Sequence, residues 1–246
     1  MNIILLDTET TGFEEPKIVQ LAYKNLANGE IVNELFNPEK KIDFGAMATH
    51  HIEQETVDKK PTFEGSGHKR KLQELCKNNI IVAHNAEFDV GVLKEEGVEC
   101  PFFICTQKIA YHFYDLEKHS LQYIRYALDL NCDQLQKLMP HDALTDVIML
   151  QKLWNELYVK IKIEVNSDEE KDILTRMINI SRNPQMMRKI KFGKHKGMRM
   201  EQMVSVDPSY CDYLLKQEGI SKDIKFTILH YRKCSNDTNS KQSSIC

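Results

Sequence analysis

The sequence predicts an α/β protein: a mixed central sheet flanked by helices, followed by a small basic C-terminal module. Three observations carry this reading. Strand-length segments rich in Ile, Val and Leu come first, at 2–7, 18–27 and 30–37. Helical and strand-length patterns then alternate as far as residue 160, the order expected of a sheet covered by helices. Finally, the charge reverses along the chain. Residues 1–185 hold 21 Lys and Arg against 30 Asp and Glu, whereas residues 186–233 hold 11 against 5.

Taken in order, the first strand runs through Ile3-Ile4-Leu5-Leu6 and ends in acids from Asp7 onward. Asn28-Gly29 separates the second and third strands, a strong hairpin signal. A helix is expected over 69–77 and a short buried strand over 79–83. Residues 86–96 show helical spacing, with Phe88, Val92 and Leu93 on one face and Asn85 at the N-cap position. A strand over 102–105 and helices over 106–114, 120–129 and 142–160 complete a first domain, 1–160. Residues 161–185 read as a connecting helix closed by Asn183-Pro184, 186–233 as the basic module, and 234–246 as a polar, flexible tail.

The 246 residues carry a formal charge of −3, with 41% hydrophobic and 28% charged residues, which excludes wholesale disorder. No run approaches the ~18 apolar residues of a membrane span, so no membrane association is expected. The opening lacks the basic leader and cleavage site of a signal peptide. Seven scattered cysteines, with no CxxC, read as free thiols in a reducing cytoplasm. An acidic body joined to a basic appendage suggests two tasks: carboxylates that hold cations, and a patch that meets a polyanion.

Chemistry-bearing residues concentrate in three places. In Asp7-Thr8-Glu9-Thr10-Thr11-Gly12, strand alternation puts Asp7 and Glu9 on one face at a strand end. Carboxylates so close repel unless a cation compensates, and hard divalent metals do so through oxygen ligands. In His84-Asn85-Ala86-Glu87-Phe88-Asp89, a buried strand gives way to a helix with Asp89 in its first turn. In His141-Asp142-Ala143-Leu144-Thr145-Asp146, a loop histidine precedes a helix that carries Asp146. A histidine there suits a general base, because its unperturbed pKa of ~6.5 lies near neutrality. Each segment alone also reads as an ordinary turn, cap or solvated surface. Together they supply four acids and a histidine with routes to one sheet edge.

At this point the sequence resembles the DEDDh group of 3′–5′ exonucleases, with a ribonuclease H-like fold, over residues 1–158. The family pattern D-x-E-T-T-G stands here as Asp7 to Gly12, H-N-x-x-F-D as His84 to Asp89, and H-x-A-x-x-D as His141 to Asp146. The resemblance implies hydrolysis assisted by two Mg²⁺ ions, with Mn²⁺ as the alternative. Asp7 would bridge the ions, Glu9 and Asp146 would complete one site, and Asp89 would support the other. His141 would take the proton from the attacking water. It further implies a pocket for the 3′-terminal nucleotide, with Thr10, Thr11 and Gly12 as its floor. Phe13 and Phe88 would lie near base or sugar, Asn85 would bond the strand, and His50 and Ile52 would form an H-x-I element. Here His51 occupies the middle of that element, where the family often has glycine.

The two-part architecture resembles exodeoxyribonuclease X-like proteins and so implies DNA, in repair or proofreading, with a polymerase or repair protein as partner. No 2′-hydroxyl filter is legible. RNA trimming of ribonuclease T type, or a non-catalytic nucleic-acid-binding or polymerase-associated subunit, are the alternatives. In the module, Phe192-Gly193-Lys194-His195-Lys196-Gly197 resembles a small F-G-K-x-x-G unit that follows some such domains. Its glycines would present Lys194, His195 and Lys196 on a turn, where Lys194 and Lys196 would contact phosphate. Tyr210 and Tyr213 would pack beneath it.

Overall fold

A computed structural model of the chain describes residues 1–130 and 141–242, with residues 235–242 described by backbone alone. Two compact units are present, Met1–Arg182 and one that starts at Asn183.

In the first unit, β1 (Ile3–Thr10), β2 (Ile18–Asn25), β3 (Ile31–Leu35), β4 (Ile80–Ala83) and β5 (Phe103–Cys105) form one sheet in the order β3-β2-β1-β4-β5. β2 runs antiparallel to both β1 and β3, while β4 and β5 run parallel to β1. The expected hairpin is present. Gly29 takes φ +75° and Asn28 Oδ1 accepts from the Glu30 amide at 2.9 Å. Such a φ suits glycine, and asparagine closes the turn by bonding two residues ahead.

Strand alternation splits the core. Ile3 and Leu5 enter a cluster with Val147, Leu150, Leu153 and Leu157 of α7 (Ala143–Val165). Ile4 and Leu6 enter the opposite cluster with Leu72 of α3 (Gly67–Asn78) and Val92 and Leu93 of α4 (Ala86–Glu95). Two short helices, α1 (Phe44–His50) and α2 (Gln54–Val57), lie in the connection from β3 to α3. They were not expected from the sequence, because at seven and four residues they offer too little periodicity. After β5 come α5 (Thr106–Phe113) and α6 (Leu121–Ala127), close to their expected positions.

The domain limit moves relative to the sequence reading. α7 continues to Val165 because Ile161 is still buried, and α8 (Glu170–Arg182) buries Ile173, Leu174 and Met177 in the α7 cluster. Ser181 Oγ also accepts from the Cys105 amide at the end of β5, 2.8 Å away. The stretch read as a connector is therefore a structural layer of the first unit.

The second unit contains α9 (Met200–Val206), α10 (Pro208–Lys216) and α11 (Lys222–Gln242) around Ile190, Met203, Leu214 and Ile228. α11 passes through most of the expected flexible tail. No glycine or proline interrupts 222–242 to stop it. Residues 243–246 of that expected tail lie outside the described residues. No helix among the described residues is long and apolar enough to cross a membrane.

Candidate active site

The parity that buries Ile3 and Leu5 beside α7 brings Asp7 and Glu9 out on the same side. There they meet Asp146 in the first turn of α7, and one carboxylate oxygen from each of the three lies within 4.8 Å of the others. Thr8, on the other parity, holds Asp89 of α4: its amide and hydroxyl donate to Asp89 Oδ1 at 3.1 and 2.8 Å. Asp89 stands beside the three without belonging to that tight group, and its charge acts on both Asp7 and Glu9.

The electrostatics are those of acids lacking a partner. Burial, then the charges of Asp89, Asp146, Glu9 and Asp142, hold Asp7 well above the ordinary carboxylate range. Burial and the neighbouring acids push Glu9 to about 8. Asp89 is raised to about 7 by burial, against the pull of the Thr8 donors. Burial and Asp142 raise Asp146 to about 6, while Gln122 Nε2, 3.3 Å from its Oδ1, pulls the other way. Among the described residues no Lys or Arg pairs with any of the four. Hard oxygen donors, mutual repulsion and no internal cation together fit divalent metal ions.

The start of α7 is fixed from the sheet. Asp142 caps the helix, its Oδ2 accepting from the Thr145 amide and hydroxyl, both at 3.1 Å. Gln20 of β2, in register with Glu9, donates to Asp142 Oδ1 at 2.8 Å and accepts from the Ala143 amide at 3.2 Å. Asp146 is thereby located relative to Glu9. Sequence reasoning missed Gln20, Gln122, Thr8 and Asp142 as supports. A buried glutamine within the apolar run Ile18-Val19-Gln20-Leu21-Ala22 was the signal available for the first. His141 is exposed, with φ +60°, at the turn that leads into α7. Its charge reaches His50 across the site. Residues 131–140, including Pro140 of the expected loop, lie outside the described residues.

A cavity of about 280 Å³ adjoins Glu9. Thr10, Gly12, Phe13, His50 and Phe88 of the expected pocket all line it. Phe13, 89% exposed, meets Phe88 edge to face at 5.9 Å between centroids, which makes an apolar wall open to solvent. His50 uses both ring nitrogens internally. Nε2 donates to the Thr10 carbonyl at 3.2 Å and Nδ1 accepts from the Ile52 amide at 3.0 Å, so the ring is neutral and offers the pocket a face. Burial lowers its pKa in keeping with this.

The other expected pocket residues lie elsewhere. Thr11 is buried and closes the strand-end loop, its hydroxyl oxygen accepting from the Lys17 amide at 3.1 Å. Ile52 packs against the Val19, Ile42 and Val57 cluster. Asn85 is exposed at the start of α4 with φ +65°, and its side chain makes no capping bond. Beside it, His84 donates from Nε2 to the His119 carbonyl at 2.7 Å and meets Thr106 Oγ1 through Nδ1 at 3.0 Å. Burial depresses His84 to about 4, so it ties the second motif to the loop before α6 as a neutral ring.

In the second unit the glycine-rich turn also makes contacts within the fold. Lys194 Nζ and His195 Nε2 both donate to Asp207 Oδ2, at 2.7 and 2.9 Å, and the His195 ring packs on Tyr210. Tyr210 stacks in turn on Tyr213. Lys194 is ion-paired at the start of α10 yet still exposed, as are Lys191 and Lys196.

Residues 4–154 match the family model RNase_T, described as exonuclease. Exodeoxyribonuclease 10 of Escherichia coli (strain K12) is 30% identical over 231 residues, spanning 92% of this chain and 97% of that protein. The DNA polymerase III subunit epsilon of Buchnera aphidicola subsp. Acyrthosiphon pisum is 29% identical over 174 residues, covering 61% of this chain and 70% of that one. A solved structure of exonuclease X in complex with 5′ overhanging duplex DNA superposes with a TM-score of 0.55. It is 27% identical and covers 73% of this chain and 99% of that chain.

Proposed function

We propose, from the fact that this chain belongs to the exonuclease family, that it hydrolyses DNA from the 3′ end and releases 5′-mononucleotides. One observation carries the reading: Asp7, Glu9 and Asp146 converge, with Asp89 beside them, at the edge of a nucleoside-sized cavity. Relatives named for DNA chemistry support DNA over RNA. The same relatives support a role in repair or proofreading, and those named as polymerase subunits support a polymerase partner, to be tested by co-purification. Free thiols at Cys76, Cys100, Cys105, Cys211 and Cys234 support a reducing, cytoplasmic setting.

Asp7, Glu9, Asp146 and Asp89 are the residues that would hold two Mg²⁺ ions, with Mn²⁺ able to replace them. When bound, such ions supply Lewis acidity and neutralise charge at the phosphodiester. The chain's own residues do the rest. The Phe13–Phe88 wall and the backbone at Thr10 and Gly12 seat the terminal nucleoside. His141 takes the proton as water attacks phosphorus and the bond to the 3′ oxygen breaks. In the second unit, Lys196 and Lys191 contact phosphates of the longer strand, with Lys194 contributing from its Asp207 pair.

The test is direct. End-labelled oligonucleotides incubated with protein and Mg²⁺ should give a ladder shortening from the 3′ end, abolished by EDTA and by Asp7→Ala. His141→Ala should slow it by about 10²–10⁴-fold, the range of a lost general base. Cutting without metal, or undiminished activity of Asp7→Ala, would defeat the assignment.

A further inference from the structure

The polar side chains lining the cavity are almost all engaged by the protein itself. Thr8 Oγ1 donates to Asp89, Thr10 Oγ1 to the Gly12 carbonyl at 3.1 Å, and Thr49 Oγ1 to the Gly45 carbonyl at 2.8 Å. Both His50 nitrogens are occupied, and Glu9 belongs to the acidic cluster. That leaves Asp43, which lines the same cavity and whose carboxylate makes no hydrogen bond among the described residues. The lysines nearest in sequence are turned elsewhere. Lys40 Nζ donates to the Glu14 and Glu15 carbonyls at 2.7 and 3.0 Å, and Lys41 lies over the Phe44 ring, 5.2 Å from its centroid.

The placement of this carboxylate is built into the backbone. The Asp43 amide donates to the Thr11 carbonyl and its carbonyl accepts from the Met47 amide, both at 2.9 Å, which fixes the residue from two sides. Opposite it is Gly12, with φ +145°, where any Cβ would overlap Asp43 Oδ2. The wall of the cavity thus carries a backbone-held, solvent-exposed, acceptor-only group among neighbours whose hydroxyls and imidazole are already bonded within the protein. A carboxylate beside the end of a polyanion is repulsive unless the ligand gives it a proton to bind.

We propose that Asp43 accepts a hydrogen bond from the 3′-terminal nucleoside and so selects termini that carry a donor there. The donor is either the sugar 3′-hydroxyl or an N–H of the base. This rests on the reading of the cavity as the seat of a 3′ end, and the experiment separates the two claims.

Binding of the full chain to fluorescent oligonucleotides is measured by anisotropy, with Ca²⁺ replacing Mg²⁺ so that no turnover is needed. Three termini are compared: unmodified, 3′-deoxy and abasic. Asp43→Ala should weaken binding of the unmodified end about tenfold to a hundredfold, the range for a hydrogen bond to a charged group. Asp43→Asn, which keeps one acceptor oxygen, should recover part of the loss and guards against a folding artefact. One of the altered termini should cost the wild type that factor more than it costs Asp43→Ala, since an abasic end also gives up the Phe13–Phe88 contact in both proteins. If it is the 3′-deoxy end, the donor is the sugar hydroxyl, and if it is the abasic end, the donor is the base. Unchanged or tighter binding by Asp43→Ala, or equal losses for both proteins at both altered ends, overturns the proposal. Hydrolysis of the unmodified strand by the wild type in Mg²⁺ is scored separately, so normal cutting alongside an indifferent Asp43 sinks this inference alone.

Discussion

The two units treat a carboxylate in opposite ways. In the first, Asp7, Glu9, Asp89 and Asp146 are crowded together; burial raises all four above the ordinary range, and neighbouring carboxylates add to it at Asp7, Glu9 and Asp146. In the second, Asp207 is ringed by donors. Lys194, then His195, Ser209 and the Tyr210 amide hold it well below that range. The second arrangement is complete without a ligand and serves the fold. The first is incomplete, and stability is sacrificed there for an affinity that only a cation can satisfy.

The largest effect expected from this contrast is in Asp7→Asn. Removing one charge from the crowded group should lower exonuclease activity by about 10²–10³-fold or more. The same change should raise the thermal midpoint measured in EDTA by a few degrees, since ~1 kcal/mol corresponds to roughly 2–4 °C in a domain of this size. Asp207→Asn should do the reverse, lowering the midpoint of the second unit while leaving cleavage of short oligonucleotides intact. An Asp7→Asn protein that melts earlier than wild type in EDTA would show that the acids are internally satisfied after all.

The pH dependence sharpens the same comparison. Glu9, Asp89 and Asp146, at about 8, 7 and 6, bind protons more tightly in the fold than in the unfolded chain. In chelator the first unit should therefore lose stability steadily as pH rises from about 4 to 8. Mg²⁺ should restore most of it, and more at pH 8 than at pH 6. Asp207 has the opposite sign. Its contribution is present above the unfolded pKa of ~3.9 and fades as pH falls through its depressed folded value. Urea unfolding across this range, with EDTA or Mg²⁺, reads both. A first unit equally stable at pH 5 and pH 8 without metal would contradict the crowding.

Much of this was legible in the sequence because it lies in local patterns. Parity along Ile3 to Glu9 places both acids on one face, and the three short motifs mark every acid of the cluster. Asn28-Gly29 marks the hairpin as plainly. What the sequence concealed depends on contacts between distant segments. Gln20 matters because β2 pairs with β1 opposite Glu9, and Gln122 because α6 lies against α7. Thr11 and Ile52 sit within recognisable motifs, yet they close a loop and fill a core rather than line the cavity. Lys194 was read from the F-G-K-x-x-G pattern and its charge, neither of which reveals its partner Asp207, 13 residues away. α8 looked like a connector because its apolar face is short, and only its packing on α7 and β5 shows where that face goes.

A smaller effect, of about 1–3 kcal/mol, is expected at Gly193. It takes φ +68°, and a Cβ there would overlap the Tyr210 hydroxyl, so the turn that delivers Lys194 and His195 to Asp207 needs glycine. Gly193→Ala should destabilise the second unit and weaken binding of long strands, while single-nucleotide release from a short oligonucleotide stays within twofold or so of wild type. Loss of short-substrate cleavage would mean that the turn serves the active site directly.

The smallest effect, and the finest test of the contrast, lies at His51. This residue closes α1 in the left-handed region at φ +60°, where the resembled element often has glycine. Its side chain is exposed, so strain is not offset by burial. His51→Gly should relieve that strain and, after the greater freedom glycine gives the unfolded chain, stabilise the first unit by about 0.5–1 kcal/mol. Gly193 and His51 are thus paired tests of one rule, the former obeying it for the fold and the latter breaking it beside the cavity. If His51→Gly melts later but also weakens binding of 3′ ends, the strain is retained because the imidazole meets the substrate. If it melts later with unaltered kinetics, the histidine is a tolerated departure and the cavity is complete without it.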